Sequence, residues 1–227
     1  MKLVIFDLDQ TLVDLISIHN EVTQALFLKE FGINAKLTDI DFAGKSITDV
    51  FRELAASKNI IGLDYERKRA GLLQKYDELF ARTIPEDGSK FVLPGARELI
   101  KELSRLGHFV VLYTGGSRNI GENVLRITGL RKYFRLMFYG TEFKARADMV
   151  SMAIERAGIA TGLSFQGKDV VIVGDSIRDI ECGKIFHALT ISVATGFHSP
   201  SQLKAEDPDY LFPNLKQWKK IAGVINS

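Results

Sequence analysis

A single cysteine, Cys182, stands in 227 residues, so no internal disulfide can form. That excludes a disulfide-stapled secreted scaffold and makes a reducing, cytoplasmic setting the expected one. Long apolar runs are missing too. The first, Leu3 to Phe6, is stopped by Asp7, which is too short for a signal peptide and far below the ~20 residues of a membrane span. Charge of one sign is not in excess: 30 Lys and Arg stand against 28 Asp and Glu. The net charge of +2 gives no ground for expecting nucleic acid or an anionic membrane as partner. His108, His187 and His198 have no metal-ligand spacing. There is no repeat, low-complexity tract or Gly/Ser-rich linker. The remaining balance, 46% hydrophobic and 26% charged, is that of an ordinary globular chain. Its length allows one large domain, or a domain carrying a sizeable insertion.

What is present begins at the N-terminus. Lys2-Leu3-Val4-Ile5-Phe6 reads as a buried strand, and Asp7 and Asp9 follow where the apolar run stops. In extended chain, residues i and i+2 face the same way, so both carboxylates point into one crevice at the carboxyl end of the strand. Open α/β sheets bind their ligands there. Two like charges so close call for a cation or a shared proton.

No strand signal appears between Leu15 and Ile84. Leu15, Ile18, Val22, Ala25 and Leu26 fall at helical spacing up to Phe31-Gly32. Further helices are predicted from Ile47 to about Ala56, and from Asp64 as N-cap to about Thr83. So long a helical stretch after one strand suggests an inserted domain, closed by the turn-like Pro85-Glu86-Asp87-Gly88-Ser89.

From Phe91 onward strands and helices alternate. Strands are predicted at Phe109–Tyr113, Leu136–Tyr139, Val170–Val173, Leu189–Val193 and Tyr210–Phe212. Helices are predicted at Ala96 to about Arg105, after Ser117, after Lys144, from Ile177 to Phe186, and within Leu215 to Ile225. This alternation implies a mostly parallel sheet covered on both faces. Three apolar strands stop at groups suited to phosphate chemistry: Asp7 and Asp9, then Thr114-Gly115-Gly116, then Gly174-Asp175 with Asp179 one turn on. Carboxyl ends of parallel strands can converge. The Thr114 hydroxyl and the Gly115 and Gly116 N–H groups could hold a phosphoryl oxygen. Asp7 and Asp175 offer hard oxygen ligands for Mg²⁺, and Lys144 offers a cation.

Asp7-Leu8-Asp9-Gln10-Thr11, Thr114-Gly115-Gly116, Lys144 four residues before Asp148, and Gly174-Asp175-Ser176-Ile177-Arg178-Asp179 occur in that order, with Leu93-Pro94-Gly95 between the first two. In these motifs the chain resembles the haloacid dehalogenase superfamily, and within it the phosphoglycolate-phosphatase-like members. The resemblance spans essentially the whole sequence. It implies a Rossmann-like catalytic core over residues 1–14 and 92–227, with a helical cap over 15–91. It implies a Mg²⁺-dependent phosphatase of small phosphorylated metabolites. Asp7 would be the nucleophile that forms an aspartyl-phosphate, and Asp9 the acid and base. Mg²⁺ would bind the Asp7 and Asp175 carboxylates and the Asp9 backbone carbonyl. Thr114, Gly115, Gly116 and Lys144 would hold the phosphoryl, and Asp179 would orient Lys144 or metal-bound water.

Asp9 favours phosphomonoester hydrolysis or mutase chemistry, because superfamily members that cut carbon–halogen bonds lack a carboxylate there. A β-phosphoglucomutase-like mutase and a catalytically silent binding relative are the alternatives. The chain departs from the family pattern at Gln10, where glycine is common, and at Ala145, where proline usually follows the lysine. Lys168 is a rival to Lys144, although a solvated turn suits it better. In the cap, Lys45 is a candidate contact for a substrate anion. His19, twelve residues after Asp7, is a candidate specificity residue. Cys182 reads as a buried structural thiol and Arg118 as a surface arginine. A monomer is expected, with a dimer left open.

Overall fold

A computed structural model describes residues 1–227. Six strands form one sheet in the order β3-β2-β1-β4-β5-β6, and every pairing is parallel. They are β1 (Leu3–Phe6), β2 (Phe109–Thr114), β3 (Leu136–Tyr139), β4 (Val170–Gly174), β5 (Leu189–Val193) and β6 (Tyr210–Phe212). The strands β1, β2, β4 and β5 are buried along their whole length, which is why they read as continuous apolar runs rather than alternating ones.

Alternate strand residues feed two separate apolar clusters, one on each face of the sheet. Val4, Phe6, Val110, Leu112, Val171 and Val173 join the larger one. Covering this face are α4 (Ala96–Arg105), α5 (Arg118–Thr128) and α9 (Trp218–Asn226), through side chains such as Leu99, Val124 and Ile221. Leu3, Ile5, Val111, Tyr113, Val170 and Ile172 join the smaller cluster. There α6 (Arg146–Thr161) contributes Met149, Val150, Ala153 and Ala157, and α7 (Ile177–Ile185) contributes Cys182.

Between β1 and α4 lie three helices, α1 (Ile16–Phe31), α2 (Ile47–Ser57) and α3 (Leu63–Thr83), and no strand. They pack through aromatic rings: Phe51 meets Tyr76 edge-on with centroids 5.0 Å apart, and Phe27 lies 6.2 Å from Phe51. Gly32 ends α1 at φ 70°, in the left-handed conformation glycine adopts most easily. The third helix begins one residue before the expected cap. Gly62 holds the cap position at φ 62°, and Asp64 lies in the first turn, where its charge meets the positive end of the helix. One helix, α8 (Pro200–Ala205), goes unread in the sequence, although Ser199 caps it and Gln202 returns the bond.

The sheet positions the site. In register, Phe6 lies beside Leu112 of β2 and Val173 of β4, and the Asp7 N–H extends that ladder to the Val173 carbonyl at 2.9 Å. Chain order reverses between β1 and β4, and the crevice at that switch is where Asp7 and Asp175 emerge.

Candidate active site

One cavity of about 80 Å³ lies over these strand ends. Asp7 and Asp9 reach it from β1, Thr114, Gly115 and Gly116 from β2, and Asp175 from β4. His19 of α1 and Lys45, just before α2, line it from the helical stretch. Asp179, in the first turn of α7, is buried alongside. Lys144 does not line this cavity. It borders a neighbouring crevice with Arg178 and Cys182, and it forms no ion pair. The rival, Lys168, pairs with Asp209 at 2.6 Å near the surface.

The cation in the site is Arg146, which the sequence reading missed. It opens α6, where the Asp148 carboxylate accepts the Ala145 N–H at 2.9 Å and sets the start of the helix. Its guanidinium donates to an Asp7 oxygen and twice to Asp179 Oδ1, at 2.6 Å from Nη2 and 3.0 Å from Nε. Its Cζ also sits over the Tyr113 ring, 3.9 Å from the centroid, and its side chain is only 9% exposed. The sequence signal was its setting: an arginine between two alanines, two residues past the family lysine, with small neighbours that let it turn inward.

Charge in the cavity is unbalanced. Burial raises the Asp7 carboxyl to about 8, against the pull of Arg146 and with further push from Asp179 and Asp9. Burial, then the charges of Asp7 and Asp179, hold Asp175 well above the carboxylate range despite the Thr11 hydroxyl at 2.8 Å. Asp179 goes the other way. Burial would raise it, but Arg146, Ser176 and Tyr113 outweigh that and keep it low. Burial would also strip Arg146 of its proton, and Asp179, Tyr113 and Asp7 hold the proton firmly. Of these four carboxyls, only those of Asp7 and Asp179 pair with the guanidinium.

The donor set fits a hard dication at this point. Asp7 Oδ2 and Asp175 Oδ2 make no hydrogen bond, and no group donates to the Asp9 carbonyl. Two carboxylate oxygens and a carbonyl, with water completing the shell, suit Mg²⁺. No trio of His, Cys, Asp or Glu side chains gathers to cage a softer metal. Glycine 196 makes the approach possible: a Cβ there would stand 1.7 Å from Asp175 Oδ2.

Anion donors complete the floor. The N–H groups of Asp9 and Gly115, which line the cavity, make no hydrogen bond within the protein, and neither does that of Leu8 between Asp7 and Asp9. The Gly116 N–H, expected to be free, donates instead to Thr114 Oγ1 at 3.1 Å. Thr114 in turn lies 3.4 Å from Asp9 Oδ2.

The helical stretch rests on the strand ends by backbone contact. A Cβ on Gly115 would stand 2.0 Å from the Lys45 carbonyl oxygen, and the Ile47 N–H donates to the Gly115 carbonyl at 2.9 Å. Arg178 donates to the Ala43 carbonyl at 2.6 Å and to Asp41 at 3.1 Å. Tyr76 brings its hydroxyl 2.7 Å from His19 Nδ1. Burial pushes that phenol far up, so it stays protonated and can donate to Nδ1 in the tautomer that carries its proton on Nε2. His19 Nε2–H is then free to donate to Asp9 Oδ1, 3.3 Å away. Outside the cavity, Arg118 pairs with Glu142 at 2.7 Å on the surface, and burial pushes the Cys182 thiol up to about 12.

The family profile for haloacid dehalogenase-like hydrolases matches residues 4–193. The phosphoglycolate phosphatase of Synechococcus elongatus is 26% identical over 214 residues, covering 93% of this chain and 92% of that one. The pyrophosphatase PpaX of Oceanobacillus iheyensis is 24% identical over 230 residues, covering 98% and 97%. Among solved structures, the β-phosphoglucomutase of Clostridium difficile superposes with a TM-score of 0.79 at 18% identity, over 100% of this chain and 97% of that one. A likeness at that identity establishes the shared fold.

Proposed function

The chain belongs to the haloacid dehalogenase-like hydrolases and is a phosphoric monoester hydrolase, and from that premise we propose a Mg²⁺-dependent phosphatase of small phosphomonoesters working through an aspartyl-phosphate on Asp7. Support comes above all from one observation: Asp9 shares a cavity with Asp7, between unpartnered backbone donors and a buried arginine. A binding module has no need of a second carboxylate held against the first.

In this reading the Asp7 carboxylate attacks phosphorus, and the bond to the leaving oxygen breaks. Arg146 and the N–H groups of Leu8, Asp9 and Gly115 hold the phosphoryl oxygens as charge spreads over them. The Thr114 hydroxyl supports the same group. Asp9 gives its proton to the leaving alkoxide, then takes a proton from the water that attacks the phosphoaspartate. His19, fixed by Tyr76, holds Asp9 in place for both transfers. Asp7, Asp175 and the Asp9 carbonyl would hold Mg²⁺, which supplies the positive charge that lets Asp7 react as an anion. Asp179 acts by positioning Arg146 rather than Lys144.

Residues 15–91 act as a cap over a core of residues 1–14 and 92–227, and closure on Gly115 keeps water from the cavity. The relatives named phosphatases match in sequence across the chain, whereas the mutase likeness is one of fold. No helix is long and apolar enough to cross a membrane. The lone buried thiol suits a reducing, cytoplasmic setting.

The test is phosphate release from a panel of phosphomonoesters, with and without Mg²⁺, by the wild type and Asp7→Asn. We expect Mg²⁺-dependent release that the variant lacks while it keeps its circular dichroism spectrum. Equal release by the variant would overturn the assignment of Asp7.

A further inference from the structure

The residues that the helical stretch gives to the cavity are mostly apolar: Ile16, Leu37, Phe42, Ala43, Ile47 and Val50. The polar exceptions are committed. His19 has one ring nitrogen on Tyr76 and the other on Asp9. Lys45, 15% exposed, is paired through Nζ with Glu53 of α2. Arg52 turns away, 65% exposed and 2.7 Å from Asp49. Beyond Arg146, which serves Asp7 and Asp179, the cavity offers no free cation. A second anion on the substrate would lie against an apolar wall unpaired, which is strongly disfavoured.

Size restricts the leaving group further. The cavity of about 80 Å³ is small beside the roughly 300–1,000 Å³ of sites that bury a larger ligand, so a short leaving group fits it best. A hexose or a nucleoside fits it less well with the cap seated.

We propose, resting on the phosphatase reading above, that the site selects phosphate monoesters of short uncharged alcohols, and that Glu53, by holding Lys45, is the residue that turns anionic leaving groups away. Glu53 does not line the cavity, and its side chain is 41% exposed, so it can be changed without opening the core.

The experiment measures kcat/KM for the full chain with Mg²⁺ on ethyl phosphate, propyl phosphate, phosphoglycolate, inorganic pyrophosphate and glucose 6-phosphate. Wild type should favour the first two over the rest by about tenfold or more. Glu53→Gln should free Lys45 and raise kcat/KM for phosphoglycolate about fivefold or more, leaving ethyl phosphate within about twofold. Preference of the wild type for phosphoglycolate, pyrophosphate or glucose 6-phosphate would overturn the inference and leave the phosphatase reading standing. So would a Glu53→Gln variant with an unchanged ratio of phosphoglycolate to ethyl phosphate. No turnover of any ester would remove both.

Discussion

Replacing Arg146 with methionine tests the electrostatics of the site. The side chain is 9% exposed and pairs with two buried carboxylates, those of Asp7 and Asp179. Methionine keeps much of the packing over Tyr113 and removes the charge. Breaking a buried ion pair from one side costs about 3–5 kcal/mol, because the partner is left charged in a dry place. At about 2–4 °C per kcal/mol for a chain of this size, the metal-free melting temperature should drop by about 6–20 °C. The low end is expected below about pH 8, where Asp7 takes up a proton and relieves the loss. Turnover should fall by about 10²–10³, the usual cost of removing one preorganised donor to developing charge. Arg146→Lys should fall between, since an ammonium cannot span Asp7 and Asp179 as the guanidinium fork does. Lys144→Ala should keep kcat and melting temperature close to wild type. Steady-state kinetics and differential scanning calorimetry on the three variants decide the matter. If Lys144→Ala destroys activity while Arg146→Met retains it, the reasoning about this site is wrong.

Two further outcomes follow from the same geometry. The carboxyls of Asp7 and Asp175 bind protons more tightly folded than unfolded, so the stability they contribute is present at low pH and lost as pH rises toward about 8. Without metal, the melting temperature should therefore fall between about pH 5 and pH 8, and added Mg²⁺ should raise it more at the alkaline end; a flat profile with a uniform Mg²⁺ shift would contradict this. Gln10 holds φ 63°, a left-handed conformation that costs an ordinary residue about 1–2 kcal/mol. Gln10→Gly should stabilise the protein by about 1 kcal/mol, net of the lost bond to Asp14, in urea unfolding; a destabilised variant would show that the Asp14 contact matters more.

Much of this was legible in the sequence because burial leaves a linear trace. The strands at Val4, Val111 and Val171 are continuous apolar runs, and each stops at the group the site uses. Glycine in place of Gln10 is common in the family for a backbone reason now visible as a positive φ. Arg146 was hidden because its inward turn depends on where α6 begins, which the Asp148 cap sets and no periodicity records. The unpartnered amides of Leu8 and Asp9 carry no residue signature at all, since any side chain can accompany a free N–H. The seat of Lys45 on Gly115 is likewise a contact between distant backbone segments. The short helix at Pro200 was marked by Ser199-Pro200-Ser201-Gln202, a capping box with proline at the first turn, and its brevity concealed it.

The account rests on Asp7 carrying the phosphoryl group in passing. The direct measurement is mass spectrometry of enzyme quenched in acid during turnover, with the peptide around Asp7 mapped by fragmentation. The account predicts a phosphoryl group on Asp7 that vanishes in Asp7→Asn, and that accumulates in Asp9→Asn given an ester such as p-nitrophenyl phosphate, whose leaving group needs no proton, because dephosphorylation then lacks its base. A phosphoryl group on another residue such as His19, or steady turnover with Asp7 never modified, would contradict it.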